Sequence, residues 1–261
     1  MKLLTGVLGV AAVGLSLSAG ATNVTPYYLF DGDSLSGWQI TNGAVTNAFP
    51  TYFLGYPVAV RNSIWLGHRD DAGAVEYTLG GTPTGNSGTG GNNFSQLLDG
   101  ATGRNGTNYG IECCGANSVT AANADWGNQV VLFDLPQGME GSGIAFDPLD
   151  DSLYLSAFDG TIYHYGLDGS FLGSFGVGQF LIGLAYEQAT DTFWGFNRST
   201  FNLVQFDRTG AVLQDVDIPG FFPGNPWAGE MAFLDVPEPG TLALLGLGFA
   251  GLGLSRRRRP T

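Results

Sequence analysis

The chain repeats itself, and the repeat limits what it can fold into. Gly143-Ile144-Ala145-Phe146 returns as Gly183-Leu184-Ala185-Tyr186 after 40 residues, and Glu230-Met231-Ala232-Phe233 starts another copy 47 residues later. Three further apolar runs follow each of the first two starts. In the first unit they are Leu153-Tyr154-Leu155, Ile162-Tyr163-His164-Tyr165 and Ser170 to Phe175. In the second they are Thr192-Phe193-Trp194, Leu203-Val204-Gln205-Phe206 and Ala211 to Ile218. Turn pairs such as Asp147-Pro148, Asp159-Gly160, Asp168-Gly169 and Thr209-Gly210 separate them. The first half carries fainter copies: Pro57 to Val60, Ile64 to Gly67 and Val75 to Gly81, then Tyr109 to Ile111, Val119 to Ala122 and Val130 to Leu135. Short strands in fours per ~40–45 residues are the signature of a β-propeller, in which stacked blades bury the faces that one blade leaves open.

The expected fold is therefore all-β. Residues 22 to 236, a span of 215, make about five four-stranded blades of about 43 residues each. Met231 to Val236 is one strand long and is predicted to complete the blade begun by residues 27 to 50, closing the ring. No amphipathic helix is expected between Thr22 and Val236. A two-sheet sandwich is the competing arrangement. The repeat spacing speaks against it, although residues 84 to 108 are rich in Gly, Asn and Thr and blur the strand count. Leu29-Phe30-Asp31-Gly32 with Ser36-Gly37-Trp38 resembles the start of sandwich-type sugar-hydrolase domains, a likeness the rest of the chain does not follow.

The ends carry addresses. Lys2, the apolar run Leu3 to Leu17 and the small-x-small site Ala19-Gly20-Ala21 predict a signal peptide over residues 1 to 21. The Sec translocon and signal peptidase are then partners. At the other end Val236-Pro237-Glu238-Pro239-Gly240 precedes an apolar run, Thr241 to Ser255, and four arginines, Arg256 to Arg259. That run spans about 22 Å as a helix, short of a ~30 Å hydrocarbon core. It predicts a short transmembrane helix with the arginines on the cytoplasmic side.

The Pro237-Glu238-Pro239 triplet, the Gly-rich apolar helix and the basic tail resemble the PEP-CTERM sorting signal of Gram-negative bacteria. The resemblance assigns residues 237 to 261 to sorting and implies an exosortase that recognises Pro237, Glu238 and Pro239. It also implies a cell with an exopolysaccharide or biofilm matrix. The repeat copies are similar to NHL-type and related propellers, a likeness that supports the fold and brings no activity with it.

Between the addresses lies an acidic ectodomain. Residues 22 to 236 hold five arginines, no lysine and 22 acids, a net charge of −17. Nucleic acid is excluded as a partner, because its phosphates need clustered Lys and Arg. With 42 glycines and two cysteines, the vicinal pair Cys113-Cys114, the chain is neither collagen nor a disulfide scaffold.

Chemistry-bearing residues are sparse. His164 lies between Tyr163 and Tyr165 on a predicted strand and reads as a half-buried sheet histidine. His68 stands beside Arg69, Asp70 and Asp71 and reads as part of a solvated loop. Neither belongs to a zinc-type motif, and Gly141-Ser142-Gly143 lacks the rest of a nucleophile elbow. Asp147, Asp150, Asp151, Asp159 and Asp168 fall at turns. No cofactor is expected, calcium being the one these aspartates leave open. Trp65 and Trp194 fit core positions, whereas Trp227, in Pro223-Gly224-Asn225-Pro226-Trp227, is placed in a loop and is the candidate ligand-binding residue. The expected function is that of a non-catalytic surface or matrix protein with exopolysaccharide as a candidate partner. The alternative is a secreted, lactonase-like metal hydrolase with carboxylates converging in the propeller channel.

Overall fold

Burial sorts the strands by radius. The computed structural model describes residues 25–51, 55–68, 73–88, 97–112, 117–221 and 223–233. Within them are twenty strands in five four-stranded antiparallel sheets. Blade 1 is β1 (Tyr27–Asp31), β2 (Ser36–Thr41) and β3 (Ala44–Pro50), joined by the last strand, β20 (Pro226–Met231). Blade 2 is β4 (Gly55–Val60), β5 (Ser63–His68), β6 (Ala74–Thr78) and β7 (Pro83–Gly88). Blade 3 is β8 (Leu97–Thr102), β9 (Asn108–Glu112), β10 (Ser118–Ala122) and β11 (Val130–Asp134). Blade 4 is β12 (Gly141–Asp147), β13 (Ser152–Ala157), β14 (Thr161–Gly166) and β15 (Phe171–Gly176). Blade 5 is β16 (Leu181–Glu187), β17 (Thr192–Asn197), β18 (Leu203–Phe206) and β19 (Val212–Val216). In blade 4 the two inner strands are buried along their whole length, β14 is mixed, and β15 is largely exposed.

The repeat motif follows from this geometry. Strands β20, β4, β8, β12 and β16 are neighbours in a ring around the axis, where backbones crowd. A Cβ on Gly143 would lie 2.7 Å from the Leu184 amide nitrogen, and one on Gly183, at φ +56°, 2.6 Å from that of Gly229. Only glycine fits both positions. The large residue that ends the motif, Phe146 or Tyr186, points instead between blades, where there is room.

Each blade interface has its own apolar cluster. Tyr28, Phe30, Phe49, Val58, Leu66 and Tyr77 join blades 1 and 2. Ile111, Val119, Ile144, Phe146 and Leu153 join blades 3 and 4. Tyr154, Ile162, Leu184, Phe193 and Phe206 join blades 4 and 5. Tyr27, Leu29, Ile40, Trp194, Phe196 and Leu203 join blades 5 and 1. The smallest cluster, Ala59, Ala74, Leu97, Ala122 and Trp126, joins blades 2 and 3. Trp126 carries that contact: it is fully buried, and its Nε1–H donates to the Trp65 carbonyl at 3.1 Å. Burying each large side chain contributes about 1.5–3 kcal/mol, so the ring is held by its interfaces.

The outer strands are the exposed edges, and bulges interrupt them. In blades 1, 3, 4 and 5 the pairing of the last two strands skips one residue: Thr46, Leu132, Leu172 and Leu213 respectively. Such bulges twist an edge away from pairing with another chain.

The five inner strands run in the same direction. Their C-terminal ends meet on one face, where the Val60 N–H donates to Thr102 Oγ1 at 2.8 Å and the Thr102 N–H to Glu230 Oε2 at 3.1 Å. The chain leaves the propeller on this exit face, the Phe233 N–H donating to the Val60 carbonyl at 2.9 Å. Tyr27, where the first strand begins, pairs with Met231 on the same face. The opposite, distal face gathers the N-terminal ends of the inner strands.

The ring closes as expected, by β20 pairing antiparallel with β1, but the closing strand lies earlier than Met231 to Val236. It ends at Met231, because Ala228, Gly229 and Glu230 fill the ring position at the axis. The Gly-, Asn- and Thr-rich stretch concealed two strands, β7, the outer strand of blade 2, and β8, the inner strand of blade 3.

Candidate functional site

The axis is occupied by protein. Asp99, from the middle of β8, is fully buried and reaches three other blades. One carboxylate oxygen accepts the N–H groups of Ile144 at 2.9 Å and Leu184 at 3.0 Å; the other accepts that of Gly229 at 3.0 Å. Beside it Glu230 accepts the N–H groups of Thr102 at 3.1 Å and Met231 at 2.8 Å. The Tyr27 hydroxyl donates to the Gly183 carbonyl. Burial pushes the carboxyls of Asp99 and Glu230 well above the usual range, against the pull of the N–H groups they accept. It also pushes the Tyr27 phenol up, so that group keeps its proton. Asp99 and Glu230 are thus the two described acids that reach the axis, and both are engaged by backbone.

The exit face carries a second polar constellation between blades 4 and 5. Arg208, in the turn before β19, pairs with buried Asp147 at 2.5 Å and with Asp191 at 2.7 Å. Its guanidinium also donates to the Tyr154 hydroxyl at 3.0 Å, and the Tyr186 hydroxyl donates to Asp191 at 2.8 Å. Arg208 so clamps the loops after β12 and β16. Burial raises the Asp147 carboxyl, while the Arg208 hydrogen bond lowers that of Asp191.

Next to this clamp Ser152, His164 and Asp150 lie in contact, a grouping that sequence spacing did not suggest. The Ser152 hydroxyl donates to Asp150 Oδ1 at 2.5 Å, and His164 Nε2 stands 2.7 Å from Ser152 Oγ. With the serine proton spent on Asp150, Nε2 must be the donor of that contact. A nucleophilic triad needs the reverse arrangement, with the acid on the far nitrogen of the ring. Ser152 is also buried, and the His164 ring stacks on Tyr154 at 4.1 Å. His164 is the half-buried sheet histidine expected, and burial holds its pKa below the ordinary value.

The turn aspartates make turns. Asp159 and Asp168 each accept the N–H two residues on, from Thr161 and Ser170, both at 2.9 Å. Asp147 does the same for Leu149 at 2.8 Å, and Asp151 pairs with Arg104 at 3.5 Å. Among the described residues no three His, Cys, Asp or Glu side chains converge as a metal would need.

On the distal face Trp227 departs from its predicted loop. It lies in β20, half-buried between the apolar clusters of blades 5 and 1 and of blades 1 and 2. The Arg198 guanidinium covers its ring at 4.2 Å, and Phe158 stands 6.0 Å away, itself 5.2 Å from Phe180. Asn225 bonds Arg198 and Asp33, the latter at 2.6 Å. Three blades thus contribute aromatic, amide, carboxylate and guanidinium groups to one patch. Trp194 is fully buried, as expected; Trp65 is half-buried against the cluster between blades 2 and 3. His68 ends β5. Ala19, Ala21, Asp70, Asp71, Cys113, Cys114, Pro237, Glu238, Pro239 and the expected helix over residues 241–255 lie outside the described residues.

These features define a five-bladed β-propeller with a filled axis. The PEP-CTERM protein-sorting motif matches residues 235–259, so this propeller carries that signal two residues beyond Phe233. The motif implies an exported, membrane-transiting protein of Gram-negative bacteria, processed by an exosortase. A crystal structure of a nidogen/laminin complex is similar in fold, with a TM-score of 0.53 at 12% identity, over 80% of this chain and 98% of that one. A catalytically inactive virginiamycin B lyase from Staphylococcus aureus with quinupristin gives 0.48 at 16% identity, over 81% and 75%. At 12% identity the likeness to the nidogen/laminin structure is one of fold alone. No curated protein sequence matches the chain.

Proposed function

We propose that this is a surface or extracellular-matrix protein whose propeller serves as a non-catalytic binding or structural module, with matrix exopolysaccharide as its partner. In this reading residues 1–21 are removed after Ala21 by signal peptidase following Sec export, and the exosortase acts at Pro237-Glu238-Pro239. The observation that carries it is the placement of the tail. Both ends of the propeller lie on the exit face, so the patch of Trp227, Arg198, Asn225 and Phe158 points away from the membrane that the tail must pass. Aromatic rings beside amide, carboxylate and guanidinium groups suit a saccharide, which offers apolar C–H faces and hydroxyls together.

The first test is the mass and C-terminal peptide of the protein from its native host, beside a strain carrying Glu238→Ala. The wild-type chain should end near Pro237 to Gly240, and the variant should keep its tail. The second is retention on the host's own exopolysaccharide. Wild-type protein should be retained, and Trp227→Ala should weaken retention about tenfold or more. Equal retention of both would move the binding surface elsewhere; no retention of either would defeat the matrix reading.

A further inference from the structure

Large apolar side chains are not scattered evenly over this surface. Of the eight described residues that leave large apolar side chains exposed, seven lie toward the exit face. Three pairs, Val130-Val131, Phe171-Leu172 and Val212-Leu213, begin the outer strands of blades 3, 4 and 5. Leu149, 70% exposed, stands in the loop after β12. Only Leu35 lies toward the distal face. Leu172 and Leu213 are also the residues that the edge bulges leave without a partner across the sheet. The patch runs from blade to blade: Phe133 of β11 contacts Tyr165 at 5.5 Å, and Tyr165 contacts Phe171 at 5.5 Å.

We propose that the exit face lies on the lipid surface of the membrane that the tail enters, tilted onto blades 3 to 5, until the tail is cut. This rests on the sorting reading above. Residues 234 to 240, between Phe233 and the apolar run, reach at most about 25 Å fully extended. The exit face is therefore held close to the bilayer while the tail is in it, and the exposed pairs meet the headgroup layer without a search. Interfacial binding grows with the apolar area buried. Charge selects the occupant. Asp150 and Asp168 are exposed toward this face beside the ion-paired Asp151 and Asp191, so a second copy set against it would bring two acidic rims together. A zwitterionic headgroup layer imposes no such repulsion.

The test uses the chain with its tail intact, one copy per phosphatidylcholine nanodisc, with hydrogen exchange as the readout. Its reference is the variant Leu149→Ser/Leu172→Ser/Leu213→Ser, whose three sites are exposed and whose melting midpoint should match wild type. Peptides beginning β11, β15 and β19 should exchange about tenfold more slowly in wild type, with loops around Phe158 and Arg198 unchanged. Adding phosphatidylglycerol should reduce the difference. Equal exchange in both proteins overturns the proposal, as does protection that requires two copies per disc, which would assign the patch to a second chain. A chain that fails to enter the disc overturns the sorting reading first and this proposal with it.

Discussion

Asp99 shows how much one side chain can hold in a ring. Its two oxygens satisfy three N–H groups from three other blades at the place where water has no access. Asp99→Ala orphans all three, at about 1–3 kcal/mol each, so denaturant unfolding should show a loss of about 3 kcal/mol or more. A loss below about 1 kcal/mol would mean that water replaces the carboxylate. Glu230 makes a different prediction. Burial first, and the Asp99 charge second, raise its carboxyl well above the usual range. The unfolded chain therefore ionises at lower pH than the folded one. Stability falls as pH rises through that window and returns on acidification. The melting midpoint should rise as pH is lowered from about 7 toward 5, and Glu230→Gln should flatten that rise. An unchanged slope in the variant would place the titrating group elsewhere. In the sequence Glu230 reads only as the start of a repeat copy, and Asp99 carries no signal of its own. Leu97-Leu98 is too short an apolar run to announce a strand, and the usable signal was the small pair Gly100-Ala101, which resembles the small residues of the other inner strands.

At the scale of the element, position along the radius decides what a strand tolerates. Gly183, in inner strand β16, has positive φ and backbone within 2.6 Å of any Cβ, whereas Gly176, at the end of outer strand β15, has open space around it. Gly183→Ala should cost more than about 2 kcal/mol, and Gly176→Ala should change stability by less than about 0.5 kcal/mol. Similar losses would contradict the crowding at the axis. Periodicity made the second, third and fourth strands of blades 4 and 5 readable, because alternation and Asp-Gly turns are local properties. Trp227 was misplaced for the opposite reason. Its Pro- and Gly-rich neighbours read as a loop, yet pairing of Pro226 and Ala228 with Asp31 and Phe30 of β1, almost the whole chain away in sequence, holds it within a strand as the residue of a bulge.

For the whole molecule, closure is the controlling event. Blade 1 owns only three strands until β20 arrives, so the two ends of the ectodomain stabilise one sheet. Removing residues 226–236 should abolish the single cooperative thermal transition, while ending the chain at Val236 should preserve it. An unchanged midpoint in the shorter chain would show that the ring holds without its closing strand. The same closure sets polarity. Entry and exit share a face, and the opposite face carries neither end of the described chain.

Taken alone, the sequence determined the all-β class, the repeat of four strands, about five blades and the sorting signal, read over residues 237–261 and matched at residues 235–259. These follow from local patterns: alternation, turn residues, small residues at a fixed step, and a motif read along the chain. Only the tertiary structure decided that an aspartate fills the axis, that Ser152, His164 and Asp150 meet with the acid on the serine side, and that exposed apolar pairs gather where the described chain ends. Those depend on which blades become neighbours when the ring closes, and closure brings together residues that no local pattern relates.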